Sequence, residues 1–231
     1  MRAFADLLET TSAAGAGDAV RNLTTTSAVK TALKITSSDL DTLIDSLIPK
    51  ASKAIVEYCR LARSAAGEVP TFARETLRAT WHVDADCKSR GTEIWLPWRP
   101  PLASISSVVE ADTALVANTD FVVMGNGRAV KLRRMSSDTP IEWSTGKIVV
   151  TWLAGFASTM STNIEDDLED AAIEQIRGLV FGADRDPAIM SENVPDLASV
   201  AYTVTGGSVM GASSILPAAR DKLAPWRNPT P

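Results

Sequence analysis

The hydrophobic repeat of this chain switches from about 3.6 residues to 2 within its first third, a change that restricts the fold to a mixture of helix and sheet. From Ser38, apolar residues recur at Leu40, Leu43, Ile44, Leu47, Ile48, Ala51, Ile55 and Tyr58, the spacing of a helix with one buried stripe. After Gly67 the spacing becomes alternate: Leu77, Ala79 and Trp81 interleave with Thr76, Arg78 and Thr80, as in a strand with one covered face. Further strands are predicted at Thr92 to Leu96, Ser104 to Glu110, Asp120 to Met124, Ala129 to Arg133 and Lys147 to Leu153, with Gly, Asn, Asp and Pro between them. Gly125-Asn126-Gly127 is a hairpin signal, because Gly and Asn tolerate positive φ. The helical spacing returns at Ile164, Leu168, Ala171, Ala172, Gln175, Ile176, Leu179 and Val180. The expected class is α+β: a small helical bundle, with helices over about 38–62 and 164–182, an inserted antiparallel β-rich region over about 73–153, and an extended C-terminal tail.

The helix ends carry their own signals. Thr36, Ser37 and Ser38 offer capping oxygens, and Asp39 and Asp41 suit the positive end of the helix dipole. Thr162 with Glu165 three residues on reads as a capping box, and Gly182 as a stop. Pro49 falls inside the first stripe, where it removes an amide donor and crowds the Asp45 carbonyl, so a kink or break is expected there. Residues 1–27 are rich in Ala, Thr, Ser and Gly and read as an arm, weakly structured or a short helix. Residues 28–186 form the expected core domain, and 187–231 a tail with a Gly-Gly-Ser linker near Gly206 and one short helical run, LPAARDKLAPW.

Composition narrows the function. With 45% hydrophobic and 22% charged residues, 231 residues can bury one sizeable core or two small ones. A net charge of -5 argues against a protein whose main task is gripping phosphate, although it suits a surface that DNA slides past. Cys59 and Cys87 stand far apart with a single histidine, which gives no framework for disulfides or zinc, and two reduced buried thiols are expected. No window approaches the roughly 20 apolar residues of a membrane span, and the N-terminus lacks a signal-peptide core, so no membrane partner and a cytoplasmic site of synthesis are expected.

No phosphate loop, nucleophile elbow, dinucleotide fingerprint or zinc-protease motif occurs, and no catalytic, metal or cofactor site is expected. His82, beside Trp81 and followed by Asp84 and Asp86, reads as a structural histidine. Trp95, Trp98, Trp143 and Trp152 lie in or beside the strands, where aromatics serve a core, an interface or a sugar-stacking platform. Trp98, beside Arg99, Pro100 and Pro101, is taken as an exposed interface candidate. The basic run Lys131, Leu132, Arg133, Arg134 is either a solvated strand end or a contact for DNA or an acidic partner.

Three ordered motifs carry a resemblance. Leu47, Ile48, Ala51, Ala54, Ile55, Tyr58 and Arg60 make a helix with a Leu-Ile and Ala-rich stripe ending near an aromatic and a basic residue. Leu96, Pro97, Arg99, Pro100, Pro101, Ser104, Ile105, Ser107 and Val108 make a strand, a proline corner and a Ser-Val run. Trp143, Gly146, Ile148, Val150, Trp152, Gly155 and Phe156 make a late strand closed by a Gly-aromatic pair, and LPAARDKLAPWR follows near the C-terminus. In this order they resemble the head-tail connector, or adaptor, family of tailed double-stranded DNA phages and related gene transfer agents. The resemblance implies a structural virion protein at the neck, not an enzyme. It would form a ring of about twelve copies on the portal protein, meet a stopper or tail-completion protein, and pass genomic double-stranded DNA without sequence-specific binding. The candidate interface residues are Trp98, Arg99, Pro100, Pro101, Arg133, Arg134, Leu216, Leu223, Trp226 and Arg227. The tail is expected to order only against the portal or a neighbouring subunit. Two alternatives stay open: another neck ring protein, a stopper or tail-completion protein, and a carbohydrate-binding or hydrolytic β-rich domain built on Trp95 and Trp98.

Overall fold

The structure is a computed structural model that describes residues 6–12, 21–67, 69–83, 91–125, 129–156, 166–183, 191–194, 198–201 and 215–228. Contacts divide the chain into two units. A β unit gathers Met1–Asn22, Cys59–Ile164 and Pro225–Pro231, and a helical unit gathers Leu23–Tyr58 and Glu165–Ala224.

In the β unit, strands β1 (Leu7–Ser12), β2 (Glu75–Val83), β4 (Leu102–Glu110), β5 (Thr113–Ala114) and β9 (Gly146–Ala154) form an antiparallel sheet in the order β1-β2-β9-β4-β5. A second sheet places β7 (Val130–Ser136) between β3 (Glu93–Trp95) and β6 (Phe121–Gly125), with β8 (Thr139–Pro140) also paired to β7. The alternation read from the sequence holds: Leu77, Ala79 and Trp81 of β2 and Ile148, Val150 and Trp152 of β9 are buried, and they share one core with Ile94, Phe121 and Leu132 of the second sheet. The β6–β7 pairing brings Gly125 opposite Val130, so the expected hairpin forms, although its turn lies outside the described residues. Gly155 (φ 90°) closes β9 where a Cβ would lie 2.2 Å from the Ala73 carbonyl oxygen, so only glycine fits this close approach.

Two expectations for the ends are corrected here. The N-terminal arm is neither loose nor helical at Leu7–Ser12: it is the edge strand β1, and Leu8 joins the core. Its Leu8 carbonyl accepts from the Ala65 amide, and Glu9 pairs with Arg78 across the strands. In the tail, residues 215–228 pack within the single chain, because their aromatic and apolar side chains find partners there. Trp226 is fully buried against Phe72 and Phe156 of the β unit, at centroid distances of 5.8 and 5.9 Å.

The helical unit holds α1 (Thr26–Leu33), α2 (Asp41–Cys59, all but its last residue), α3 (Asp166–Ala183), the hairpin β10 (Ser191–Val194) with β11 (Ala198–Ala201), and α4 (Pro217–Leu223). The predicted stripes meet in one cluster: Val29 of α1, Ile44, Leu47, Ile48 and Ala51 of α2, and Ile176 and Val180 of α3. Helix α2 runs unbroken through Pro49, so the expected break does not occur; buried Ile44, Leu47 and Ile48 before the proline, and Ala51 and Ile55 after it, hold the helix together. Helix α1 is capped by the Thr25 hydroxyl, which accepts from the Ala28 amide. The α3 stripe carries one buried polar residue, Gln175, whose Oε1 accepts from the Leu216 amide at 2.9 Å at the start of α4. The Thr162 capping box and the Gly206 linker lie outside the described residues.

Candidate assembly surfaces

The proline corner that follows β3 is anchored from within. Arg99 keeps only 3% of its side chain exposed; its Nη1 donates to Glu75 Oε2 at 2.8 Å and its Nε to the Ala62 carbonyl. Glu75 is equally buried, at 4%. A charge taken out of water needs this compensation, so Arg99 is committed to its own fold. Pro100 is buried and Pro101 half-buried, joined by a cis peptide. Trp98 is half-buried rather than exposed, because its Nε1 donates to the Trp226 carbonyl at 3.1 Å. The corner and the C-terminal segment therefore meet: Trp98, Phe72 and Phe156 receive Trp226, and the Asn228 amide donates to the Cys59 carbonyl at 2.9 Å. Burial pushes the Cys59 thiol up to about 12, with the Arg227 charge pulling slightly the other way. Arg227 is exposed. Leu216 is half-buried and Leu223 buried, both in the helical unit.

The basic run on β7 is neutralised in place. Glu93 of β3 takes Lys131 Nζ at 2.6 Å and Arg133 Nε at 2.9 Å, and those two hydrogen bonds hold its carboxyl below the usual range. Arg134 Nε meets Glu110 Oε2 of β4 at 2.8 Å, and Arg134 Nη1 donates to the Asp120 and Met135 carbonyls. Glu110 in turn accepts from the Ser144 amide at 2.6 Å. The run is neither a free phosphate grip nor a simply solvated end; it ties β7 to β3 and β4. Sequence reading found the cations but missed Glu75, Glu93 and Glu110, whose spacing along the chain gives no hint of their pairing across it.

The features that a sugar site would need are engaged otherwise. Lys131 Nζ sits 5.4 Å from the Trp95 ring centroid, and the Trp98 indole is tied to the C-terminal segment. Two shallow grooves, of about 290 Å³ over Arg78, His82 and Lys147 and about 540 Å³ beside α1, include neither tryptophan. His82 is exposed on β2 with its Nδ1 3.0 Å from Asp6 Oδ2, while Asp84, Asp86 and Cys87 lie outside the described residues. Among the described residues no group of three His, Cys, Asp or Glu side chains could hold a metal ion, and no helix is long and apolar enough to cross a membrane.

Residues 24–81, which contain α1, α2 and most of β2, match the family model described as the phage gp6-like head-tail connector protein. No curated protein matches the chain. Among solved structures, a chain in the "Virion of native gene transfer agent (GTA) particle" is similar over 96% of this chain and 95% of that one, with 14% identity and a TM-score of 0.52. A chain in the "Neck of empty GTA particle computed with C6 symmetry" is similar over the same shares, with 15% identity and a TM-score of 0.50. Residues 24–81 thus carry the pattern of the phage gp6-like head-tail connector family, the family that the sequence resembles, on a fold that is also found in the gene transfer agent particle.

Proposed function

We propose that this chain is a structural head-tail adaptor of a virion neck, which docks on the portal ring, forms a ring of about twelve copies and extends the DNA channel toward the tail. The observation that carries the reading is the connector-family match over 24–81, set in a fold that is similar over 96% of the chain to a gene transfer agent structure. One of those relatives comes from a neck map computed with sixfold symmetry, and a ring of twelve is compatible with sixfold averaging as two copies per repeat. The chemistry agrees: the cations that could grip phosphate on β7 are paired, and a net charge of -5 suits a wall that DNA passes without adhering. The stopper or tail-completion protein and the genomic DNA are contacts that follow from this position.

Cryo-electron microscopy of purified particles tests the reading. A ring of this chain between portal and tail is the expected result. Its absence from particles, together with a chain that stays monomeric when mixed with portal, overturns it.

A further inference from the structure

Helices α2 and α3 each keep one outward stripe that the core does not use. On α2 the exposed residues are Leu43, Ser46, Lys50, Lys53 and Glu57, spaced three and four apart. On α3 the stripe is Asp167, Asp170, Glu174, Arg177 and Phe181, with the same spacing. Leu43 is 39% and Phe181 57% exposed, and they are the exposed large apolar side chains among the described residues of the helical unit. They stand at opposite ends of their stripes, near the start of α2 and at the end of α3. Lys50 and Lys53 have no carboxylate partner among the described residues. Among the described residues, Asp170 and Glu174 are held only by surface pairs, with Lys222 and Arg177.

Laid antiparallel, the two stripes are complementary: Leu43 meets Phe181, Lys50 meets Glu174 and Lys53 meets Asp170. Laid parallel, they set Leu43 against Asp167 and Lys53 against Arg177. In the antiparallel arrangement like charges meet only at the far end, Glu57 against Asp167, where solvent screens them. A contact between two different faces of the same chain is heterologous, and a rotation that closes it gives a ring. Resting on the ring reading above, we infer that the α2 stripe of one copy packs antiparallel against the α3 stripe of the next copy. Lys50 and Lys53 on Glu174 and Asp170 set the register, and Leu43 on Phe181 supplies the apolar end.

The test uses the full chain and charge exchange. Two variants are made, Lys50→Glu with Lys53→Glu, and Asp170→Lys with Glu174→Lys, together with the fourfold combination. Association, alone and with portal, is followed by sedimentation and native mass spectrometry at low salt, and circular dichroism checks that each variant is folded. Each double variant is expected to associate roughly tenfold more weakly or worse, because like charges then face each other, and the fourfold variant is expected to recover the ring. Folded double variants that assemble like the wild type, or a folded fourfold variant that stays apart, overturn this contact while leaving the ring intact. A wild-type chain that stays monomeric with and without portal instead overturns the ring reading, and this contact with it.

Discussion

At the scale of single residues, the buried pair of Arg99 and Glu75 shows how a surface-type residue becomes structural. Each is nearly free of water and each meets the other's charge, so removing one takes away compensation that the other needs. Arg99→Met is expected to cost about 3–5 kcal/mol in urea unfolding, and adding Glu75→Leu is expected to return much of that loss, because the buried carboxylate that lost its cation goes with it. Glu93 gives a prediction in pH. Its hydrogen bonds with Lys131 and Arg133 lower its folded pKa below the 4.5 of a free side chain. The folded group therefore loses its proton more readily than the unfolded one. That stabilisation is fully present above about 4.5 and fades as pH falls through the lower folded value. The stability difference between the wild type and Glu93→Gln is expected to be level near neutrality and to shrink in acid; a difference that does not change with pH contradicts this.

At the scale of elements, α2 and β1 mark the two ways in which local pattern and tertiary structure part company. Pro49 should break an isolated helix, yet the buried residues on both sides keep α2 continuous. Pro49→Ala would return an amide donor to the Asp45 carbonyl, and is expected to raise stability by up to about 3 kcal/mol in thermal or urea unfolding. Strand β1 has the opposite history: its Leu-Leu-Glu-Thr-Thr-Ser segment lies in an Ala, Thr and Gly-rich stretch and lacks clear alternation, so the sequence shows an arm. Pairing with β2, whose residues lie some seventy positions further on, makes it a strand and puts Leu8 into the core. Leu8→Ala is expected to cost about 2 kcal/mol, the low end for a buried leucine, as suits an edge position. The long amphipathic elements were legible because their periods are local properties of the chain. The carboxylate partners of Arg99, Arg133 and Arg134 were not, since Glu75, Glu93 and Glu110 approach only once the sheets are assembled.

At the scale of the whole molecule, each unit is assembled from separated pieces of chain: three for the β unit and two for the helical unit. The last piece matters most to the β unit, because Trp226 fills a place between Phe72 and Phe156 and its carbonyl accepts from Trp98. Trp226→Ala is expected to cost about 3–5 kcal/mol, read as a lower urea midpoint, with the loss seen in the β unit's own signals. The candidate interface residues near the corner were chosen for their chemistry, and the fold turns that chemistry inward. Arg99 and Trp226 are buried, whereas Arg227 stays exposed. What the sequence could not show was which exposed faces remain once the core is built, and among the described residues these include the outward stripes of α2 and α3. The late arrival of Trp226 also has a consequence during synthesis. Trp226 leaves a ribosome some seventy residues after Phe156, so the β unit cannot close its aromatic core until that interval has been made, and a product cut short before it carries an open cavity that proteases can recognise. The fold thereby separates chains that carry this segment from chains that lack it.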